Sequence, residues 1–402
     1  MKCVFCRNEF DQESNTPEHI LLNALGGRLT SRKVDCADCN NRFGAGIDNS
    51  MANSVAEFRC IGGLRSGDRK LPPPIMDIKL KNGQCIDLLP GMIPRDRNVV
   101  FERNRLENGN LEVKFGAGSF RKIANMLPNI AKGSGLTLDQ LVSTIRGIDI
   151  QIQKQAIAEF IPFKLSLGGL DPNRSMAKSL IVLWCHHFGC DEFTKGDFSG
   201  IVKFVNDDAF AKVNDFASID SRPLTLSSDV LRKQDFGTCF TFLHVRSDSS
   251  GGLKGIFRLY NLCSWIFSFD FVPARPDANV TLISNPFEPG NWEVFLDTDI
   301  GLDQNFMESK TNDPTVVQES IKTFMNCATE RNQDQAQINM IEESMRDYFP
   351  HDGKVITENH IYLLSKEIAE DFVAMHFNLD RTKVISGERA VEILTLFSDR
   401  EK

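Results

Sequence analysis

The sequence has no apolar run that approaches the ~20 residues a membrane-spanning helix needs. Its longest, Ser179 to Cys185 and Cys263 to Phe267, soon meet polar residues, so no membrane partner is expected. Met1-Lys2-Cys3 opens the chain without an apolar leader, and a cytoplasmic protein is the expectation. An excess of positive charge is missing too. The formal net charge is −8, which argues against a protein that simply coats nucleic acid. Internal repeats and low-complexity tracts are absent, which excludes solenoids and compositionally biased arms. Residues 75–402 lack any motif that can be attached to chemistry, so a functional reading has to start at the N-terminal end.

What is present first is ordinary globular composition. The chain has 402 residues, 41% hydrophobic and 25% charged, enough for two or three domains with real cores. Charge is unevenly spread. Residues 1–75 carry 10 Lys+Arg against 9 Asp+Glu, a net of +1, whereas residues 311–402 carry 10 against 17, a net of −7. Any contact with nucleic acid is therefore expected in the N-terminal part.

Pattern and punctuation suggest three segments: a Cys-rich module over 1–65, a mixed α/β domain over 75–310 and an acidic helical region over 311–402. Gly62-Gly63 followed by Pro72-Pro73-Pro74 marks the first boundary. Beyond it, alternation predicts hairpins around Lys81-Asn82-Gly83 and Asn108-Gly109-Asn110, and later around Glu288-Pro289-Gly290-Asn291. Phe240 to Phe271 reads as strands split at Ser249 to Gly252. Helical periodicity predicts helices over 119–131, 137–146 and 175–188, then 314–331, 335–348, 358–377 and 387–397.

Eleven cysteines in a reducing compartment point to metal ligation where they are regularly spaced. Cys3-x-x-Cys6 and Cys36-x-x-Cys39 repeat one spacing, with 29 residues between the pairs. Each tight turn can aim two thiolates at one ion, and four thiolates at ~2.3 Å close a tetrahedral zinc shell. A zinc with every position filled by sulfur is structural, and so short a module needs such a staple. Cys185-His186-His187-x-x-Cys190 also resembles a metal cluster, but it adjoins the apolar segment Leu180 to Trp184, and neighbouring side chains on a helix diverge. Core residues are the better reading there.

With zinc assigned its cysteines, Glu18, His19 and Asn40 remain in the same stretch. Asn40 follows the second pair at the start of a predicted helix with the apolar stripe Ile47, Met51, Val55, Phe58. If Glu18 and His19 end a strand facing that helix, a carboxylate and an amide oxygen can share one hard cation, with an imidazole beside it. Those are the parts for phosphodiester hydrolysis: a cation for the phosphate and leaving oxygen, and a base for water. Asn41 replaces Asn40 as the ligand if the helix starts one residue later.

"CVFC", "EHILLNALGG" and "CADCNNRFG" resemble the HNH endonuclease family, in particular its tetra-cysteine zinc branch, over residues 1 to about 60. The resemblance implies an α+β protein with a ββα-metal (treble-clef) zinc module at its N-terminus. It also implies DNA as substrate, one Mg²⁺ or Mn²⁺ as catalytic cofactor beside the structural Zn²⁺, His19 as general base, and Glu18 and Asn40 as cation ligands. A role in restriction or phage defence fits the family. Many members carry an asparagine between the glycines and the second Cys pair, where it ties down the histidine-bearing loop. Here the interval reads Arg28 to Asp35, with Ser31 as the stand-in. Arg28, Arg32, Lys33 and Arg42 suit phosphate contacts. The appended residues 75–402 are expected to meet an activating ligand or a protein partner. The competing reading is a zinc-stabilised DNA-binding or assembly protein that does not cut.

Overall fold

The computed structural model describes the chain apart from residues 82, 84, 97–99, 106–110, 117–119, 155–166, 196–198, 208–215, 225, 228–235, 251, 270–274, 303, 309, 349–356, 377–380, 389 and 392–402. The protein is mixed α/β, with small strands and helices first, a sheet in the middle and helices toward the C-terminus. Contacts divide it into two units, each discontinuous along the chain: 1–73 with 163–331, and 74–162 with 332–402.

The first unit begins with the Cys-rich module. Two short strands, β1 (Glu18–His19) and β2 (Thr30–Ser31), pair antiparallel with Glu18 opposite Ser31 and His19 opposite Thr30. Three helices follow: α1 (Ala37–Ala45), α2 (Ile47–Ser54) and α3 (Ala56–Gly62). The single helix predicted from the apolar stripe is thus broken at Gly46 and Val55. Gly44 and Gly46 weaken helix at that point. The stripe is nonetheless buried, with Ile47, Met51, Val55 and Phe58 each at 5% exposure or less.

Downstream, α4 (Leu170–Phe188) packs one side on α2 and the other on a sheet. That placement explains the long apolar run in α4: Met176, Ala177, Leu180 to Leu183 and Trp184 are fully buried. Helix α5 (Gly200–Asn206) packs beside it, opened by the Ser199 hydroxyl accepting from the Val202 amide. The sheet has six antiparallel strands: β3 (Ala217–Asp220), β4 (Thr241–Ser247), β5 (Leu253–Leu259), β6 (Cys263–Ser268), β7 (Asn279–Ser284) and β8 (Trp292–Leu296), in spatial order β8-β7-β4-β5-β6-β3. Alternation sorts its residues. Leu243, Phe257, Trp265 and Leu282 face the core shared with α4, while Phe242, Ile256, Ile266 and Ile283 join a second cluster with Phe236, Ile300 and Phe306. Both faces of the sheet are covered.

Helix α6 (Pro314–Tyr348) is one continuous element where the sequence predicted two. Its first turns belong to this unit. Phe324 is fully buried, edge-on to Phe58 of α3 at 5.3 Å and stacked with Tyr260 at 5.6 Å and Phe287 at 5.8 Å. Phe324→Ala is expected to lower stability by about 3–5 kcal/mol through lost burial and the cavity left behind. A melting curve equal to wild type would show that α6 does not share this core.

The second unit holds a three-stranded meander (Ile75–Lys79, Cys85–Leu89, Ile93–Asp96), a hairpin (Val100–Arg105 with Leu111–Gly116) and helices Phe120–Ser134, Leu138–Arg146 and Glu358–His376. Thr137 and Gln140 form a reciprocal capping box at Leu138. A strand not predicted from sequence, Arg381–Ser386, pairs with Asp149–Lys154. Most of the helix predicted over 387–397 lies outside the described residues. No described helix is long and apolar enough to cross a membrane.

Candidate active site

The module is assembled around its cysteines. Arg7, at φ 65°, turns the chain so that its amide donates to the Cys3 carbonyl at 2.9 Å. Cys36 stands at the N-terminal cap of α1, and Cys39 lies in its first turn. The Val4 amide joins the two pairs by donating to the Val34 carbonyl at 3.0 Å. All four sulfurs lie within 4.8 Å of one another, and Cys6 and Cys36 are 3.6 Å apart. A zinc tetrahedron with bonds of ~2.3 Å has sulfur–sulfur edges of about 3.8 Å, so the donor set fits zinc. Cys3 is shifted down, chiefly because Cys39 donates to it, while Cys6 is shifted up, chiefly by burial. Among the described residues this is the one cluster of three or more metal-ligating groups. Cys185 is buried in α4, and His186 and His187 pack edge-on at 4.7 Å.

The same framework sets the polar residues. Gly26 and Gly27 turn the chain between β1 and β2. Gly26 has φ 90°, and a Cβ on Gly27 would stand 1.7 Å from the Leu21 carbonyl oxygen. The hairpin then lies beside α1, and the Asn40 amide nitrogen donates to the Pro17 carbonyl at 3.4 Å, next to Glu18. This leaves the Asn40 carbonyl oxygen as the side chain's acceptor. Asn41 is exposed. His19 is half-buried, and burial first, then the nearby Lys178 charge, hold its imidazole below its usual range.

The loop before α1 is tied down by a residue outside the predicted interval. Asn15, buried, donates to the Asp35 carbonyl at 2.7 Å and to the Arg32 carbonyl at 3.2 Å. The Ser31 hydroxyl accepts from the Lys33 amide only at 3.4 Å. Asn15→Ala is expected to destabilise the module by about 1–3 kcal/mol, because the buried Asp35 carbonyl and the partly buried Arg32 carbonyl lose their donor. Thermal melts of the two proteins check it, and coincident curves would assign the tie elsewhere.

Glu18 is where the structure adds most. Its carboxylate is buried at 5% exposure, and Oε1 accepts from the Lys178 ammonium of α4 at 2.5 Å. Lys178 also reaches Asp48 Oδ2 of α2 at 2.5 Å, and the Ser175 hydroxyl donates to Asp48 Oδ1 at 2.5 Å. Burial shifts the Glu18 carboxyl up and Lys178 opposes this. Asp35, fully buried and without a hydrogen-bond partner on either oxygen, is shifted up to about 8, first by burial and then by the Glu18 charge. Lys178, Asp48, Asp35 and Asn15 were not singled out from the sequence. The available signal was a lysine inside an apolar helical run, which demands a buried carboxylate partner.

The four basic residues divide. Arg42 reaches the Asn206 side chain at 2.7 Å and lies over the Phe43 ring, and Asn206 in turn donates to the Phe5 carbonyl, so this arginine helps fasten the module to α5. Arg32 donates to the Asn15 carbonyl at 2.5 Å. Arg28 is exposed and Lys33 half-buried, neither in an ion pair among the described residues.

Residues 3–56 match the HNH endonuclease family model. The matched HNH segment takes in both Cys pairs, Glu18, His19 and Asn40 and ends within α3. No curated protein and no solved structure matches the chain. The same segment also supplies oxygen donors of the types a hard divalent cation takes. Among the described residues Glu18 Oε2 makes no hydrogen bond, and the Asn40 side chain is fastened by its nitrogen to Pro17 just before the same strand, so the segment carries a carboxylate and an amide oxygen close in the fold.

Proposed function

We propose that the protein is a metal-dependent HNH endonuclease that hydrolyses DNA phosphodiester bonds on a zinc-stapled module of the ββα-metal type. The observation that carries this reading is one juxtaposition: Glu18 and His19 on a strand beside the helix that starts at the second Cys pair, with Asn40 bonded to the backbone next to them. His19 would take the proton from the attacking water. Glu18 and Asn40 would hold one Mg²⁺ or Mn²⁺, which when bound neutralises charge on the phosphate and the leaving oxygen. Arg28 and Lys33 would meet phosphates, with Arg32 and Arg42 adding positive charge. The residues beyond the module would restrict when the nuclease fires, in keeping with a role in restriction or defence.

One observation favours a second reading, a zinc-stabilised DNA-binding protein that does not cut. Glu18 is engaged by Lys178, as a purely structural carboxylate would be. Incubating supercoiled plasmid with the full chain separates the two. The nuclease reading expects nicked or linear product with Mg²⁺ or Mn²⁺ and none with excess chelator. Binding that shifts the plasmid without cleavage under any divalent cation supports the second reading.

A further inference from the structure

We propose that Lys178, which lies outside the matched residues 3–56, is a positioning residue for the cation ligand Glu18. It holds Oε1, so that Oε2 is the oxygen presented to a divalent cation. The inference rests on the nuclease reading above and names a part of the site that the HNH segment does not contain.

The geometry leaves Lys178 little freedom. Its side chain is fully buried, and its ammonium is enclosed by three elements of the module: Glu18 of β1 at 2.5 Å, Asp48 of α2 at 2.5 Å and the Phe43 ring of α1 at 5.7 Å. Asp48 is itself held on both oxygens, by Lys178 and by Ser175. Ser175 and Lys178 are three residues apart on α4 and therefore share a face. The result is a chain of hydrogen bonds, Ser175 to Asp48, Lys178 to Asp48 and Lys178 to Glu18, that starts on a helix packed between α2 and the sheet and ends on one oxygen of the proposed ligand. A long lysine side chain would otherwise carry considerable rotamer freedom, and burial removes it. Partners that orient a ligating carboxylate in this way typically change metal affinity or activity by 10–100-fold when removed.

An ammonium near a cation also repels it, so the sign of the effect separates positioning from competition. The full chain is compared as wild type, Lys178→Met and Asp48→Asn, with zinc content and melting checked for each. Mn²⁺ binding is measured by electron paramagnetic resonance without DNA, and plasmid cleavage is titrated with Mg²⁺. Lys178→Met is expected to weaken Mn²⁺ binding and raise the half-saturating Mg²⁺ by about 10–100-fold. The rate should recover toward wild type at saturating cation. Asp48→Asn keeps an oxygen for Lys178 and drops the charge, so it should shift both quantities the same way by less. If Lys178→Met does not fold, the Asp48→Asn shift decides. A merely structural lysine would reduce the amount of active protein at every Mg²⁺ concentration and leave both constants unchanged, which overturns the proposal. Tighter Mn²⁺ binding in Lys178→Met overturns it too, because Lys178 would then be a competitor. Wild type that binds Mn²⁺ in a Lys178-dependent way but never cuts DNA sinks the nuclease reading and leaves the positioning role standing.

Discussion

Replacing Cys36 with serine is expected to remove zinc from the protein and unfold the N-terminal module. Three sulfurs leave the shell open, and structural zinc contributes apparent binding energies of about 10–16 kcal/mol in small zinc domains. The substitution isolates the metal unusually well. Cys36 is the N-cap residue of α1 and makes no side-chain capping bond. Serine is among the preferred N-caps, so the helix start itself should gain, not lose, from the exchange. Loss of the module would also propagate. Val4, Phe5, Cys36, Cys39 and Phe43 belong to the same core cluster as α4 and the sheet, so the first unit should melt at a lower temperature as a whole. Metal analysis of purified protein is expected to give one zinc per wild-type chain and close to none in Cys36→Ser. A serine variant that keeps its zinc and its melting temperature would refute the staple.

The parts of the site that local pattern can carry were legible in the sequence. The doubled Cys-x-x-Cys spacing encodes two tight turns, and the structure gathers those four sulfurs. Gly26-Gly27 between Glu18-His19 and the basic stretch encodes a reversal, and the chain turns back there into β2. Interactions that depend on distant residues were not legible. Glu18 and Lys178 are 160 positions apart, and nothing local to either names the other. Asn15 was passed over because the loop it ties lies downstream, and a side chain that bonds backbone carbonyls leaves no residue-type signature at its partners.

The same limit applies to the fold. Strands β5 and β6 meet through Tyr260 and Asn261, both at positive φ, with no glycine to announce a turn. Helices were predicted over 314–331 and 335–348, yet one helix runs through the polar residues Asn332 and Asp334 that lie between them. A polar interruption ends a stripe without ending a helix. Grouping by chain order also cannot reveal that Phe324 packs on Phe58, since that contact joins α6 to α3 across most of the sequence.

The second large effect expected is at His19. Its alanine variant removes the group proposed to take the proton from water, while the zinc shell is held elsewhere by sulfur and the Glu18–Lys178–Asp48 cluster by other side chains. Fold, zinc content and DNA affinity should therefore survive. Loss of a general base typically costs 10²–10⁴ in rate. Glu18→Ala should differ in kind. It deletes a proposed cation ligand and leaves Lys178 with Asp48 alone, so a raised Mg²⁺ requirement and lower stability are expected together. The central claim, that Glu18, His19 and Asn40 form a hydrolytic centre, is tested most directly by one side-by-side measurement. Supercoiled plasmid is cleaved by wild type and by His19→Ala at saturating Mg²⁺, with zinc content determined on the same samples. Cleavage by wild type that falls by 10²-fold or more in a zinc-loaded, folded His19→Ala is the result expected. Equal rates in the two proteins, or no cleavage by zinc-loaded wild type, would contradict it.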